Sequence, residues 1–150
     1  SSRRPIDLPI YMKYYIDTCI WRDHYENRTG INKRPLGTYA SRLFLKIMKN
    51  KDLILFSDLI LKELKIGFKQ KDIEDMLNIL LKMNILKRVE ITSQDREEAK
   101  RISQKRAISF GDSLHAILAR NNNAILVTQN EKDFKKLKDI IEYSKPEQLI

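Results

Sequence analysis

Four acidic residues stand at positions where an α/β protein gathers its chemistry. Asp17 ends a short apolar run, and Glu63 lies within a predicted helix. Asp112 begins another helix, and Asp133 lies in the first turn of a third. Clustered carboxylates repel one another, so their proximity is costly unless protons or a cation neutralise them. Oxygen ligands select hard ions such as Mg²⁺ or Mn²⁺, which activate water and bind phosphodiester oxygens. Together the four acids predict a metal-dependent hydrolytic site.

Each acid taken alone has a structural alternative. Asp112 and Asp133 occupy helix N-termini, where free N–H groups and the helix dipole stabilise a carboxylate. Glu63 could be a solvent-facing helix residue paired with a nearby lysine. Taken singly, the capping or surface interpretation is favoured for each acid except Asp17, because an aspartate that ends a buried strand among apolar residues is harder to explain in that way. Taken jointly, the spacing and settings favour a site.

Short β-favouring runs alternate with helical patterns along the chain. The predicted strands are 14–16, 53–56, 89–91, 124–128 and 140–143. Between them, apolar residues fall on one helical face over 36–49, and a second apolar stripe runs from Ile73 to Leu81. This alternation predicts an α/β protein, a three-layer α/β/α domain around a twisted, mainly parallel sheet of about five strands. Ligands of such sheets bind beyond the carboxyl ends of the strands, so the acids converge if the first and fourth strands are neighbours.

Several predicted helices carry start and stop signals. Ser57 is expected to cap the helix over 59–65, with Gly67 in its C-terminal turn. Capping-box spacing recurs three times, in the pairs Thr92 and Asp95, Ser109 and Asp112, and Asn130 and Asp133. The polar segment 23–34 is expected to be a mobile loop.

The composition excludes several classes of protein. The chain has 150 residues, one cysteine, and 29 Lys and Arg against 20 Asp and Glu, a net charge of +9. No apolar run approaches the ~20 residues that span a bilayer. A single cysteine excludes a disulfide scaffold and, with two histidines, a structural zinc site, so a cytoplasmic protein is expected. The basic charge suits a nucleic-acid partner, although lysine-rich helix faces that keep a protein in solution would give the same charge.

Residues 1–11 show no helical or strand period. We expect them to be a leader or disordered arm that precedes a native start at Met12. Residues 12–150 are then predicted to form a single domain.

The motifs resemble the four signatures of the PIN domain family, in order and over essentially all of 12–150. The matching segments are YYIDTCIW, LILKEL followed by Gly67, FGDSLHAILA, and ILVTQNEKDF. The chain is most similar to small stand-alone members, including VapC-type toxin ribonucleases of toxin–antitoxin pairs. The resemblance implies Mg²⁺- or Mn²⁺-dependent endoribonuclease activity, a homodimer and an antitoxin partner.

The resemblance also assigns site residues by position. The catalytic and metal-binding acids would be Asp17, Glu63, Asp112 and Asp133, supported by Thr128 and Asn130. Thr128 matches a small hydroxyl residue that braces the site. Asn130 departs from the family, because many relatives have Asp there. An amide oxygen ligates weakly and brings no charge, so we expect one well-held ion, bound by Asp17 and Asp112.

We therefore predict a metal-dependent endoribonuclease that hydrolyses single-stranded or looped RNA. Asn130 favours the alternative, a non-catalytic RNA-binding or assembly module with a weakened site, and a structure-specific DNA nuclease is a third class. His115, three residues after Asp112, could donate a proton to the leaving group, but a packed histidine is the favoured interpretation. Core packing is likewise favoured over chemistry for Cys19, and over base stacking for Trp21.

Overall fold

A computed structural model describes residues 11–150. Within them, five parallel strands form one sheet: β1 (Lys13–Ile16), β2 (Leu53–Phe56), β3 (Leu86–Arg88), β4 (Ile125–Val127) and β5 (Tyr143–Ser144). The strand order is β3-β2-β1-β4-β5. Strand order therefore reverses between β1 and β4, which pair with Tyr14 opposite Ile125 and Ile16 opposite Val127. This order confirms that the first and fourth strands are neighbours, which was the condition for the acids to converge.

Seven α-helices connect the strands within the described residues: α1 (Thr18–Glu26), α2 (Leu36–Asn50), α3 (Asp58–Gly67), α4 (Gln70–Lys82), α5 (Ser93–Arg106), α6 (Phe110–Asn121) and α7 (Glu131–Phe134). The chain moves outward from β1 to β2 to β3, then crosses back to β4. Right-handed crossovers consequently place α1–α4 on one face of the sheet and α5–α6 on the other. The three-layer α/β/α prediction is confirmed.

The core lies between these layers. β1, β2 and β4 are buried along almost their whole length, and Tyr15, Ile54 and Leu126 are 0% exposed. Central parallel strands covered on both faces need this continuous apolar character. The stripe on α4 is buried at Ile73 and at three further positions, but Leu81, predicted to join it, is 49% exposed. One more residue turns that side chain about 100° from Leu80, which takes it off the buried face.

Most predicted helix signals are confirmed. The Ser57 hydroxyl accepts a hydrogen bond from Ile60 N–H at the start of α3. Thr92 and Asp95 form a reciprocal capping box before α5. Ser109 caps α6 by accepting from Asp112 N–H, and Asn130 accepts from the N–H of Asp133 in α7.

Two predicted strands are misplaced. The strand predicted at 89–91 lies at Leu86–Arg88, and the one predicted at 140–143 lies at Tyr143–Ser144. Both are short outer strands, where register is set by the inner neighbour instead of by a buried apolar run. Val89 misled the prediction because it is buried and its N–H donates to Phe56 O, although it follows the strand.

The segment predicted as a loop, 23–34, begins inside a helix. α1 runs from Thr18 to Glu26, and Asp23 is only 3% exposed. The sequence of α1 is polar apart from Ile20 and Trp21, which pack into the core, so no long apolar stripe announces it.

The predicted leader or arm lies outside the described residues, apart from Tyr11. No helix in 11–150 has the length and apolarity required to cross a membrane.

Candidate metal centre

Asp17 lies at the carboxyl edge of the sheet, where β1 passes into α1. Its backbone N–H donates to Val127 O at 2.9 Å, which ties it to the end of β4. Carboxyl oxygen Oδ1 accepts from Thr18 N–H at 2.8 Å, and Oδ2 accepts from the Thr128 hydroxyl at 2.7 Å. The residue is 8% exposed. The Cys19 thiol also donates to Oδ2, at 3.5 Å. Asp17 is thus a buried carboxyl group in a fixed orientation, and its Oδ1 keeps a lone pair for a further partner.

Glu63 reaches the same edge from α3. Its Oε1 accepts from the Thr18 hydroxyl at 2.5 Å and meets His115 Nε2 at 2.9 Å. Gly111 lies on the other side of the carboxylate, and a Cβ added there would stand 3.4 Å from Oε2. The side chain of Glu63 is 31% exposed, so this carboxylate faces the protein on one side and solvent on the other.

Asp112 and Asp133 meet through Asn130. The Asn130 amide nitrogen donates to Asp133 Oδ2 at 2.9 Å and lies 3.5 Å from Asp112 Oδ2. Its amide oxygen accepts from Asp133 N–H at 3.3 Å, and its backbone N–H donates to Thr128 Oγ1 at 3.0 Å. Thr128 therefore connects this group to Asp17, as a bracing hydroxyl would.

The pKa values of the acids in the cluster shift in different directions. Burial, with added repulsion from Asp17 and Asp133, raises the pKa of Asp112 to about 6. Burial also raises the pKa of Glu63, but hydrogen bonds from His115 and Thr18 outweigh it, and the net pKa is lowered. Burial lowers the pKa of His115, but the hydrogen bond to Glu63 and the charges of the nearby acids raise it by more. The net pKa of His115 is therefore raised. The negative charge is therefore disfavoured at Asp112 and stabilised at Glu63.

The structure brings the four predicted acids to one edge of the sheet, in two adjoining groups. One donor atom from each of Asp17, Glu63 and His115 lies within 4.8 Å of the others. Asp112 and Asp133 stand outside this tight group, although the charge of Asp17 acts on Asp112. The catalytic or metal-binding role of all four acids stays a prediction, as does the supporting role of Thr128 and Asn130.

The sequence analysis missed two members of this network. Thr18 bridges Asp17 and Glu63, and a threonine directly after a strand-ending aspartate was the available signal. His115 had been assigned to packing, and it is indeed buried, but it also contacts Glu63. Its helical spacing from Asp112 placed it near the site, whereas the contact with α3 depends on how α3 and α6 approach each other.

A divalent cation fits this arrangement. The donor set consists mainly of carboxylate oxygens, which Mg²⁺ and Mn²⁺ prefer. The raised pKa of Asp112 is a sign of uncompensated charge that a bound cation would neutralise. At the same edge, the partly buried free thiol of Cys19 lies 3.5 Å from Asp17 Oδ2 and 3.8 Å from Thr128 Oγ1. Burial raises the pKa of this thiol well above its usual value, so Cys19 is a poor nucleophile.

The family model that matches the sequence is that of the PIN domain, over residues 14–140. The chain belongs to the PIN domain family. The PIN-domain resemblance of the four motifs is thereby confirmed over most of the chain. No curated protein matches it.

Solved structures share the fold of this PIN domain at low sequence identity. VapBC2 from Rickettsia felis, bound to a DNA fragment from its promoter, matches with a TM-score of 0.63 and 24% identity, over 89% of this chain and 98% of that chain. VapBC-1 from nontypeable Haemophilus influenzae matches with a TM-score of 0.63 and 18% identity, over 90% and 98%. DNA-bound VapBC from Salmonella typhimurium matches with a TM-score of 0.60 and 17% identity, over 90% and 98%.

Proposed function

We propose that this PIN domain is a metal-dependent endoribonuclease that hydrolyses RNA phosphodiesters, with Mg²⁺ or Mn²⁺ as its cofactor. One observation carries the proposal: four acids that are distant along the chain, from the end of β1 and from α3, α6 and α7, lie in two adjoining groups where strand order reverses. Burying these carboxylates close together costs free energy unless a cation neutralises them, and burial and the charge of Asp17 accordingly raise the pKa of Asp112. An arrangement that costs stability without a ligand is typical of a functional site.

The side chains divide the work in the proposed reaction. Asp17 and Asp112 would hold the cation, and Glu63 and Asp133 would complete or orient its ligand shell. When bound, the cation supplies a more acidic water and offsets negative charge at phosphorus. Thr128 keeps the Asp17 carboxyl group in place through its 2.7 Å hydrogen bond. The net charge of +9 draws the RNA backbone to the protein.

The test is a cleavage assay on structured and single-stranded RNA, with and without EDTA. We expect EDTA to abolish cleavage and Mg²⁺ or Mn²⁺ to restore it. Asp17→Asn should remove cleavage but keep the fold and most RNA affinity. The matched control is Asp52→Asn, since Asp52 is equally buried but lies at the opposite edge of the sheet, where it accepts from Met12 N–H. Unchanged cleavage by a clean Asp17→Asn preparation would refute the proposal.

Asn130 supports a second candidate, a non-catalytic RNA-binding or assembly module. Its amide hydrogens occupy the carboxylate oxygens of Asp133 and approach those of Asp112, so they partly do the work of a cation. Ligand binding to the native state must raise its melting temperature. If Mg²⁺ and Mn²⁺ give no such rise and no RNA is cut, this second candidate is favoured.

We further propose that the protein acts with an antitoxin partner. Three solved structures with this fold carry the name VapBC, and one structural neighbour from Klebsiella pneumoniae is described as a toxin–antitoxin complex. An exposed apolar groove of about 280 Å³ between α1, α2 and α4 offers a surface for a protein partner. Leu45 and Ile79 line it and are 63% and 55% exposed.

The gene neighbourhood tests the partner first: we expect a small antitoxin-like protein to be encoded directly upstream, and that protein is then co-expressed with this chain. A Leu45→Lys or Ile79→Lys variant should lose the complex, whereas Ile66→Lys should keep it, because Ile66 is a still more exposed apolar residue that does not line the groove. Retention of the complex by both groove variants would refute this surface. The expected homodimer and cytoplasmic location also belong to the proposal, and light scattering of the purified protein measures the first.

A further inference from the structure

Three polar side chains lie in the core next to Glu63. Tyr15 and Ser57 are 0% exposed, and His115 is 1% exposed. They come from the middle of β1, the end of β2 and the buried face of α6. Burying three such groups costs free energy unless each one is hydrogen-bonded.

Hydrogen bonds join the three groups into a single chain that ends on Glu63. Ser57 Oγ lies 2.8 Å from the Tyr15 hydroxyl, which lies 2.7 Å from His115 Nδ1. His115 Nε2 lies 2.9 Å from Glu63 Oε1. Both nitrogens of the His115 ring therefore have a partner. The chain of hydrogen bonds ends at the Glu63 carboxylate on one side and, through Ser57 Oγ, at Ile60 N–H on the other.

The Glu63 carboxylate determines which atom donates in each hydrogen bond of this chain. An ionised Glu63 accepts only, so His115 Nε2 must carry a proton. In the neutral ring Nδ1 is then an acceptor, and the Tyr15 hydroxyl donates to it while accepting from Ser57. A protonated ring also donates from Nε2, so the donor to Glu63 is the same in both charge states. The opposite direction would set the Nε2 lone pair against the carboxylate.

The two oxygens of Glu63 have different surroundings. Oε1 accepts from His115 and from the Thr18 hydroxyl. Among residues 11–150, no side chain donates a hydrogen bond to Oε2. Gly111 also keeps that side open, because it has no side chain there.

We propose that His115, held by Tyr15 and Ser57, is a positioning residue that fixes Oε1 of Glu63 and leaves Oε2 available to a divalent cation. This inference rests on the proposed metal-dependent function. Residues that orient a metal-binding side chain from behind contribute about 10- to 100-fold to metal affinity. Loss of the imidazole should therefore weaken cation binding although His115 does not touch the cation.

Calorimetric titration with Mn²⁺ tests the role. His115→Leu should raise the Kd for Mn²⁺ about 10- to 100-fold. His115→Gln, which retains a donor at the reach of Nε2, should recover most of the affinity. Tyr15→Phe should fall between the two, because it keeps the ring but removes the hydroxyl that orients the imidazole. The control is His24→Leu, since His24, the second histidine, is exposed and bonded to Ser41.

Nitrogen-15 NMR of the histidine rings gives a readout independent of metal and of activity. We expect His115 to carry its proton on Nε2 in the metal-free protein and to keep it in saturating Mg²⁺. If His115→Leu does not fold, Tyr15→Phe and the NMR measurement decide the question.

Three results would overturn the inference. The first is a folded His115→Leu or Tyr15→Phe protein that binds Mn²⁺ as tightly as wild type. The second is an Nε2 without a proton in the metal-free protein. The third is loss of that proton on Mg²⁺ addition, which would make His115 a ligand. Failure of the wild-type protein to bind Mn²⁺ would instead contradict the proposed function itself, and the inference with it.

Discussion

Removing the charge of Asp112 should stabilise the metal-free protein. Burial and repulsion raise the pKa of Asp112 from an ordinary value of 3.8 to about 6 in the folded state. The folded protein therefore binds this proton more tightly than the unfolded chain does. Ionisation of Asp112 therefore lowers the free energy of unfolding as the pH rises from about 4 to about 6. Above about pH 6 this loss of stability is complete. Asp112→Asn abolishes the penalty because asparagine has no charge to lose.

The magnitude follows from the same shift. A rise of about two in the pKa corresponds to about 3 kcal/mol at most. Asp112 is only partly buried, so screening by solvent reduces this to about 1.5 kcal/mol. The negative charge also gains about 0.5 kcal/mol from the N-terminus of α6, which the asparagine forgoes. We expect a net gain of about 1 kcal/mol at pH 7.5 and almost none at pH 4.

Urea unfolding in EDTA at the two pH values measures the gain. The control is Asp139→Asn, because Asp139 is an exposed carboxylate paired with Arg106, and loss of that pair should not stabilise the protein. An Asp112→Asn protein that is less stable than wild type at pH 7.5 would refute the reasoning. It would show that helix capping, and not repulsion within an acidic cluster, sets the energy of this residue.

Two further substitutions test the framework around the site. Thr128→Val should lower the free energy of unfolding by about 1–2 kcal/mol, because it leaves Asp17 Oδ2 without its hydroxyl partner. Thr128→Ser keeps a hydroxyl and should retain most of the wild-type stability. Equal stability of the two variants in urea unfolding would contradict this prediction. Gly37→Ala should cost about 2 kcal/mol or more, because the added Cβ would stand 2.5 Å from Asn27 Cα, where α2 meets the end of α1. Gly67→Ala is the control, because the nearest atom to its added Cβ would be 3.9 Å away. Equal changes in the melting temperatures of the two variants would contradict the predicted crowding at Gly37.

Local signals explain why much of the fold was predictable. The inner strands β1, β2 and β4 are short apolar runs that need burial on both faces, and α3, α5 and α6 begin at hydroxyl caps. These features depend on residues close in sequence. The position of Asp17 could be predicted for the same reason, since it directly follows a buried strand.

Features set by tertiary contacts were out of reach. The outer strands β3 and β5 follow the register of their inner neighbours, so their apolar flanks gave the wrong bounds. The helix α1 depends on the burial of Ile20 and Trp21 against the sheet, which its polar sequence does not announce. The bond between His115 and Glu63 joins residues 52 apart in sequence, and only the packing of α3 against α6 brings them together.

The most direct test of the account is a crystal structure of the wild-type protein grown with Mn²⁺, with anomalous scattering used to locate the ion. We predict an anomalous peak at the carboxyl edge between β1 and β4, in contact with carboxylate oxygens of Asp17 and Asp112. A site without a peak at saturating Mn²⁺, or peaks only elsewhere on the protein, would contradict the claim that these acids are held together to bind a divalent cation.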